Sequence, residues 1–260
     1  GQKAYDSAYG AIDYLQGGNG ADALRIDWTE VDLRYSLEVY DKADNYTDAV
    51  PVKDRMVQIV DSYEAVKFDL RLVPNRDYHF VVFADFVPNG ASEDANVVYQ
   101  STLGLRHTIG DNLGDITIND DAINDEIADA YFATSDIKIT NSASQDMTLK
   151  RPYGKLRVIA TDLAELNTNV IPAQVQVTYT AKHPQTFNAV TGVIGAKVET
   201  KTVTFYSEYN DGVGQGSLAN HFYTEGYDAM VVTNSDNITR HSHMTLFTDY
   251  ILAVDDQQQS

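Results

Sequence analysis

The stretch VDLRYSLEVY, residues 31 to 40, decides the class of this fold. Val31, Leu33, Tyr35, Leu37 and Val39 fall on one parity, and Asp32, Arg34, Ser36 and Glu38 on the other. A period of two belongs to a strand, because successive side chains leave opposite faces of a pleated backbone. The prediction is a half-buried strand with its charged parity turned to water. The same period returns in AVKFDLRLV (65 to 73), and PNRD (74 to 77) follows as a turn. Next, YHFVVFADFV (78 to 87) is apolar on both parities, as a strand covered on both faces requires. These last two segments are expected to pair as a hairpin at the heart of a first domain.

Working outward, residues 1 to 23 are small, polar and glycine-rich, with no sustained period of either kind. Residues 89 to 126 are acidic and turn-rich. Within DAINDEIADAYF, Ile123, Ile127 and Tyr131 share one face of a short predicted helix, with Asp120 or Asp121 as its cap. A second short helix is signalled in TDLAELN, where Asp162 precedes Glu165 by three residues. Beyond residue 155 alternation dominates again, in Leu156, Val158 and Ala160, then Val175, Val177 and Tyr179, then Met244, Leu246 and Tyr250. Many short strands with glycine, asparagine and proline between them, and little helix, predict antiparallel β-sandwiches.

Composition narrows the function. The chain has 260 residues, enough for one large or two ordinary domains, with 38 acidic against 19 basic side chains and a formal net charge of -19. A phosphate surface would repel most of it, which argues against nucleic acid as a partner. There is no cysteine, so disulfides, thiolate metal sites and cysteine nucleophiles are excluded for the sequence given. No apolar run approaches the roughly 18 residues of a membrane span, and GQKAYDSAYG at the start lacks the features of a signal peptide.

Signals for chemistry are sparse. RHSHM places His241 and His243 two apart, so a strand would turn both rings to one face as weak candidates for a shared metal. No third ligand lies nearby, and a solvent-facing pair on an edge strand is the competing reading. DNLGD (111 to 115) and INDDAINDE (118 to 126) do not follow the order of a calcium loop. GVGQG (212 to 216) lacks the spacing and lysine of a phosphate loop, and no G-x-S-x-G elbow occurs. Neither a cofactor nor catalysis is expected.

LKRPYGKLRVIATD (149 to 162) holds the basic pair Lys150 and Arg151 in this acidic chain. Two cations are too few for a polyanion patch, and cleavage after Arg151 would have to precede a proline. Pro152 removes an amide donor and presses Arg151 into an extended conformation, while Gly154 permits a bend. Lys150, Arg151, Pro152 and Gly154 therefore read as a crossing between two sheets and as the junction of two domains.

The order LEVYD (37 to 41), YHFVVFADF (78 to 86), DAYFA (129 to 133), LKRPYGKLRV (149 to 158) and LFTDYILA (246 to 253) resembles the fimbrillin-like proteins of Bacteroidales, subunits and accessory proteins of type V pili and their lipoprotein relatives. The resemblance spans roughly residues 24 to 253, and the junction motif is its most specific element. It implies an all-β protein of two consecutive transthyretin-like antiparallel sandwiches with short helical insertions, residues 1 to 150 and 151 to 260. It also implies an outer-membrane, cell-surface location through a lipid anchor on a secreted and processed precursor. Family members usually continue past the tyrosine-isoleucine-leucine-alanine strand, so the second sandwich is expected to lack a last strand. An absent strand would leave a groove and an open edge for strand addition by another pilus subunit or surface protein.

The expected function is thus structural or adhesive, with neighbouring subunits or a host ligand as partners. The competing expectation is a surface lipoprotein that binds or processes glycans on the same scaffold, since fold alone does not fix function. Its stacking candidates are Trp28, next to Asp27 and Glu30, with Tyr206, Tyr209 and Tyr223 behind it. Burial of Trp28 in the first core is the alternative for that side chain.

Overall fold

The computed structural model describes residues 28–29, 31–43, 50–92, 107–118, 126–142, 144–160, 174–200, 202–206, 231–233, 239–241 and 244–253. Its strands, in chain order, are β1 (Val31–Asp41), β2 (Met56–Val60), β3 (Arg76–Pro88), β4 (His107–Ile109), β5 (Ile116–Ile118) and β6 (Ala130–Ile139). Then follow β7 (Tyr153–Ala160), β8 (Gln174–Thr178), β9 (His183–Pro184), β10 (Thr186–Asn188), β11 (Val193–Ile194) and β12 (Lys197–Glu199). The last are β13 (Thr202–Tyr206), β14 (Val231–Thr233), β15 (Thr239–His241) and β16 (Met244–Leu252). Every pairing among them is antiparallel, so the described chain is all-β.

The centre is a four-stranded sheet in the order β2-β1-β3-β6. β1 pairs with β3 along its whole length, from Val31 opposite Pro88 to Asp41 opposite Tyr78. β3 is buried on both parities, as its apolar run predicts. The predicted hairpin does not form, because both sides of β3 are taken by β1 and β6. Residues 64–73 are instead an extended strap outside any ladder. They turn Phe68, Leu70 and Leu72 onto the Leu37, Val39, Phe80 and Val82 face of the sheet. The turn after them is present, with Asn75 at φ 61, a left-handed value that asparagine tolerates.

β1 also departs from expectation on its charged parity. Asp32, Arg34, Ser36 and Glu38 are all buried, because a second layer covers the face predicted to meet water. That layer contains the sheet β11-β10-β5-β4 and the ribbon of β7 with β16. Between the layers lies the largest apolar cluster, in which Phe83 and Phe132 meet Ile116, Phe187 and Tyr250. The ring centroids of Phe132 and Phe187 are 4.9 Å apart.

At the junction the chain changes sheet without changing core. Lys150 exchanges two backbone hydrogen bonds with Phe132 at the edge of β6, both 2.9 Å. Three residues later Tyr153 opens β7, which pairs with β16, and Ala253 donates to the Pro152 carbonyl at 2.9 Å. Yet Tyr153 packs into the same cluster as Phe83, and β5 pairs with β10 across the expected 150/151 division. Among the described residues, then, that division does not separate two cores. A smaller cluster of Val158, Val175, Val177, Val203 and Phe247 belongs to the later half alone. In β7, Val158 joins this cluster, whereas Leu156 is 37% exposed.

The first predicted helix is corrected as well. Glu126–Ala128 form one turn of 3-10 helix, and Tyr131 belongs to β6, where its pairing with Ala84 outweighs the helical spacing of the isoleucines. The second predicted helix, around Asp162 and Glu165, lies outside the described residues.

Candidate functional site

The side chains with the most chemistry in them meet between the layers. Arg34, on β1, donates from Nε and Nη2 to both carboxylate oxygens of Asp85 on β3, at 2.9 and 2.8 Å. Strand register places the pair directly opposite each other. Burial works against the guanidinium charge, but Asp85 outweighs it, so the Arg34 pKa is raised further. His107, on β4, brings Nδ1 to 4.0 Å from Asp85 Oδ2, and its Nε2 shares a hydrogen with the Tyr153 hydroxyl at 2.5 Å. One polar chain thereby joins the central sheet, the β4 sheet and the β7 ribbon.

Two further ties follow the same logic. Glu38 Oε2 accepts from the Tyr40 hydroxyl at 2.5 Å and from the Leu113 amide at 2.8 Å, while Oε1 accepts from Arg55 Nε at 2.9 Å. Burial first, and then the hydrogen bond to Glu38, push the Tyr40 hydroxyl far above its ordinary value. His79 lies between Asp136, 2.7 Å from Nδ1, and the Val190 carbonyl, 2.8 Å from Nε2. Buried charges are costly unless paired. The Arg34–Asp85 and His79–Asp136 pairs lie within the central sheet, and Glu38 and His79 carry hydrogen bonds across to Leu113 and Val190 of the second layer.

Ser36, His107 and Asp85 supply the residue types of a nucleophile triad, but they are not arranged as one. His107 spends Nε2 on Tyr153, and its side chain and that of Asp85 are 1% and 2% exposed, so a substrate atom would have to part the layers to reach them. Among the described residues, no group of three His, Cys, Asp or Glu side chains is placed to hold a metal ion.

The basic pair at the junction has local partners. Arg151 Nε donates to Asp129, and its guanidinium lies 5.5 Å from the centre of the Tyr131 ring. Lys150 Nζ sits 5.3 Å from the centre of the Phe132 ring. Pro152 is buried, and Gly154 pairs with Ile251 inside the β7 ribbon.

Two carboxylates on these elements predict opposite pH slopes. Burial holds Asp129 above the usual carboxylate range, even though Arg151 and Tyr131 pull it down. Its folded form takes up a proton before the unfolded chain does, so its contribution to stability grows as pH falls through the folded value towards about 4. Asp136 is the reverse: burial raises it, but hydrogen bonds from Lys42 and His79 prevail and hold it low. Its contribution is present above about 4 and is lost as pH falls through the lowered value. In urea titrations between pH 7 and 3, wild type should gain on Asp129→Asn and lose its advantage over Asp136→Asn as the solution is acidified. The Asp136 side chain is 43% exposed, so solvent screening limits its effect to less than about 1 kcal/mol.

Trp28 is half-buried. It packs edge-on to Tyr63 at 5.2 Å and against Phe86 at 6.1 Å, with Tyr63 itself 39% exposed. Of the other sequence candidates, Tyr206 falls in β13 and His241 in β15, while Tyr209, Tyr223 and His243 lie outside the described residues. The buried ties escaped the sequence reading, although one signal was there: Asp85 is a lone carboxylate within an apolar run, and such a group needs a partner.

The second surface feature is the strap 64–73. Three side-chain clips hold its backbone: Tyr35 Oη donates to the Glu64 carbonyl at 3.3 Å, Gln58 Nε2 to Lys67 at 2.6 Å, and Tyr78 Oη to Val73 at 3.0 Å. Among the described residues, none of its amides donates to a backbone carbonyl.

Together these features define an antiparallel all-β protein with paired acid and base side chains buried between its layers and an unladdered segment on one face. The chain belongs to DUF6562, a family of unknown function, which it matches over residues 8–260. No curated protein and no solved structure matches it.

Proposed function

We propose that this chain is a non-catalytic structural or adhesion protein of the cell surface, a fimbrillin-like pilus subunit or accessory component that joins its neighbours by strand addition. The observation that carries this reading is the strap 64–73, whose side chains alternate in and out and whose amides, among the described residues, donate to no backbone carbonyl. An extended backbone with free donors and acceptors is a ready edge for a partner strand, and little conformational entropy is left to lose on pairing. The polar ties agree with a load-carrying role, since they fasten neighbouring strands of the central sheet and, through Glu38 and His79, reach the second layer. In this reading the architecture is transthyretin-like, and a lipid anchor on the precursor holds the protein at the outer membrane.

Cross-linking of the native, processed protein on intact cells tests the proposal. Lys67, whose side chain is 81% exposed, should give cross-links to neighbouring subunits or surface proteins. A mature protein that stays monomeric and yields only internal links would overturn it.

The second reading, glycan binding, is favoured by the half-buried Trp28 beside the exposed Tyr63. Sugar rings stack on such aromatic faces. A glycan array would then show hits that Trp28→Ala and Tyr63→Ala abolish, and an array without hits would remove this reading.

A further inference from the structure

We infer that the strand added to the strap is the strap of a second copy of this chain, running antiparallel with Leu70 opposite Leu70. The inference rests on the strand-addition reading and names its partner and register. The outward row of the strap alternates in sign: Lys67, Asp69, Arg71. Opposite charges across a ladder stabilise it, and like charges facing each other destabilise it.

Three central registers can be compared. Centring on Asp69 sets Asp69 against itself and Lys67 against Arg71, so every outward contact is repulsive. Centring on Phe68 pairs Lys67 with Asp69 but leaves Arg71 opposite Ala65. Centring on Leu70 sets Asp69 opposite Arg71 twice, and Phe68 opposite Leu72 twice. Lys67 already bonds Asp69 within its own chain at 2.9 Å, whereas Arg71 makes no ion pair among the described residues. The Leu70 register supplies the partner that Arg71 lacks.

Backbone geometry agrees. The clips occupy the carbonyls of Glu64, Lys67 and Val73, and among the described residues Phe68, Leu70 and Leu72 keep both amide and carbonyl open. Those three residues face one another in the Leu70 register, where each opposed pair exchanges two bonds. Pro74 falls opposite Val66 and, having no amide, ends the ladder. Two copies each at -19 repel over most of their surfaces, and the strap offers two cations against one anion in its outward row, which makes it a favourable place to meet. The pairing is two-fold and closes on itself, so growth beyond two copies needs another edge.

Sedimentation equilibrium from micromolar to hundreds of micromolar protein tests the inference. Wild type should approach dimer mass. Asp69→Arg and Arg71→Asp should each weaken dimerisation by roughly tenfold or more. The combined Asp69→Arg/Arg71→Asp protein should recover it. Both positions are exposed, so circular dichroism and melting temperature should stay near wild type. A chain monomeric at every concentration overturns self-pairing while leaving strand addition to a different protein standing. A dimer indifferent to both single changes, or not restored by the double, places the contact elsewhere and equally overturns it. Absence of any intersubunit cross-link on cells would remove the broader reading as well.

Discussion

Replacing Asp85 with alanine is expected to lower the unfolding free energy by about 3 to 5 kcal/mol, because it strands the Arg34 guanidinium in a water-excluded layer. The Arg34 and Asp85 side chains are only 3% and 2% exposed, and both carboxylate oxygens are bonded to Arg34. His107, 4.0 Å from the same carboxylate, would lose its acidic neighbour at the same time. Removing both charges should behave differently. Arg34→Met with Asp85→Leu fills the space with apolar atoms and should recover most of the loss, since a buried pair is often no better than its hydrophobic replacement. Urea titrations of the two single variants and the double variant decide the matter. A single-variant loss under about 1 kcal/mol would show that water reaches Arg34 and that the tie is not sealed.

The second large effect is expected at Phe187. Its side chain is 1% exposed, lies opposite Ile116 in the β5–β10 pairing, and touches Phe132 and Phe83 with ring centroids at 4.9 and 6.5 Å. Phe187→Ala should cost about 3 to 5 kcal/mol, the range for deleting a buried aromatic ring and leaving its cavity. A stronger form of the same test is truncation. A fragment ending at residue 150 lacks Tyr153, Phe187 and Tyr250, so the inner faces of Phe83, Ile116 and Phe132 would be left bare. It should bind a hydrophobic dye and lose its near-ultraviolet circular dichroism. A fragment that instead melted cooperatively would show that the earlier half has a sufficient core of its own.

Legibility differed from element to element. Alternation in β1 and the doubly apolar run of β3 identified both strands correctly, because period and burial are local properties of the chain. The strap was legible as extended backbone and illegible as an unpaired one. A period of two reports which side chains share a face, while the choice of partner depends on competition, and β1 and β6 occupied both sides of β3. The charged parity of β1 looked solvent-facing because its cover comes from far along the chain. Glu38 meets the Leu113 amide of that covering layer after 75 residues, and Arg34 finds Asp85 on the neighbouring strand after 51. The 3-10 turn at Glu126–Ala128 occupies part of the segment whose isoleucine spacing read as helix, but β6 captured Tyr131.

The shared core also has a meaning in time. Tyr40 and Leu252 belong to one cluster, so its packing cannot finish until residues more than two hundred positions apart have both been synthesised. Until then the early strands carry exposed apolar faces and long-range pairings still unmade, which are the conditions for slow folding and mispairing. β16, the last of the described strands, supplies Tyr250 and Leu252 to that cluster, so the early strands stay open to mispairing until it docks.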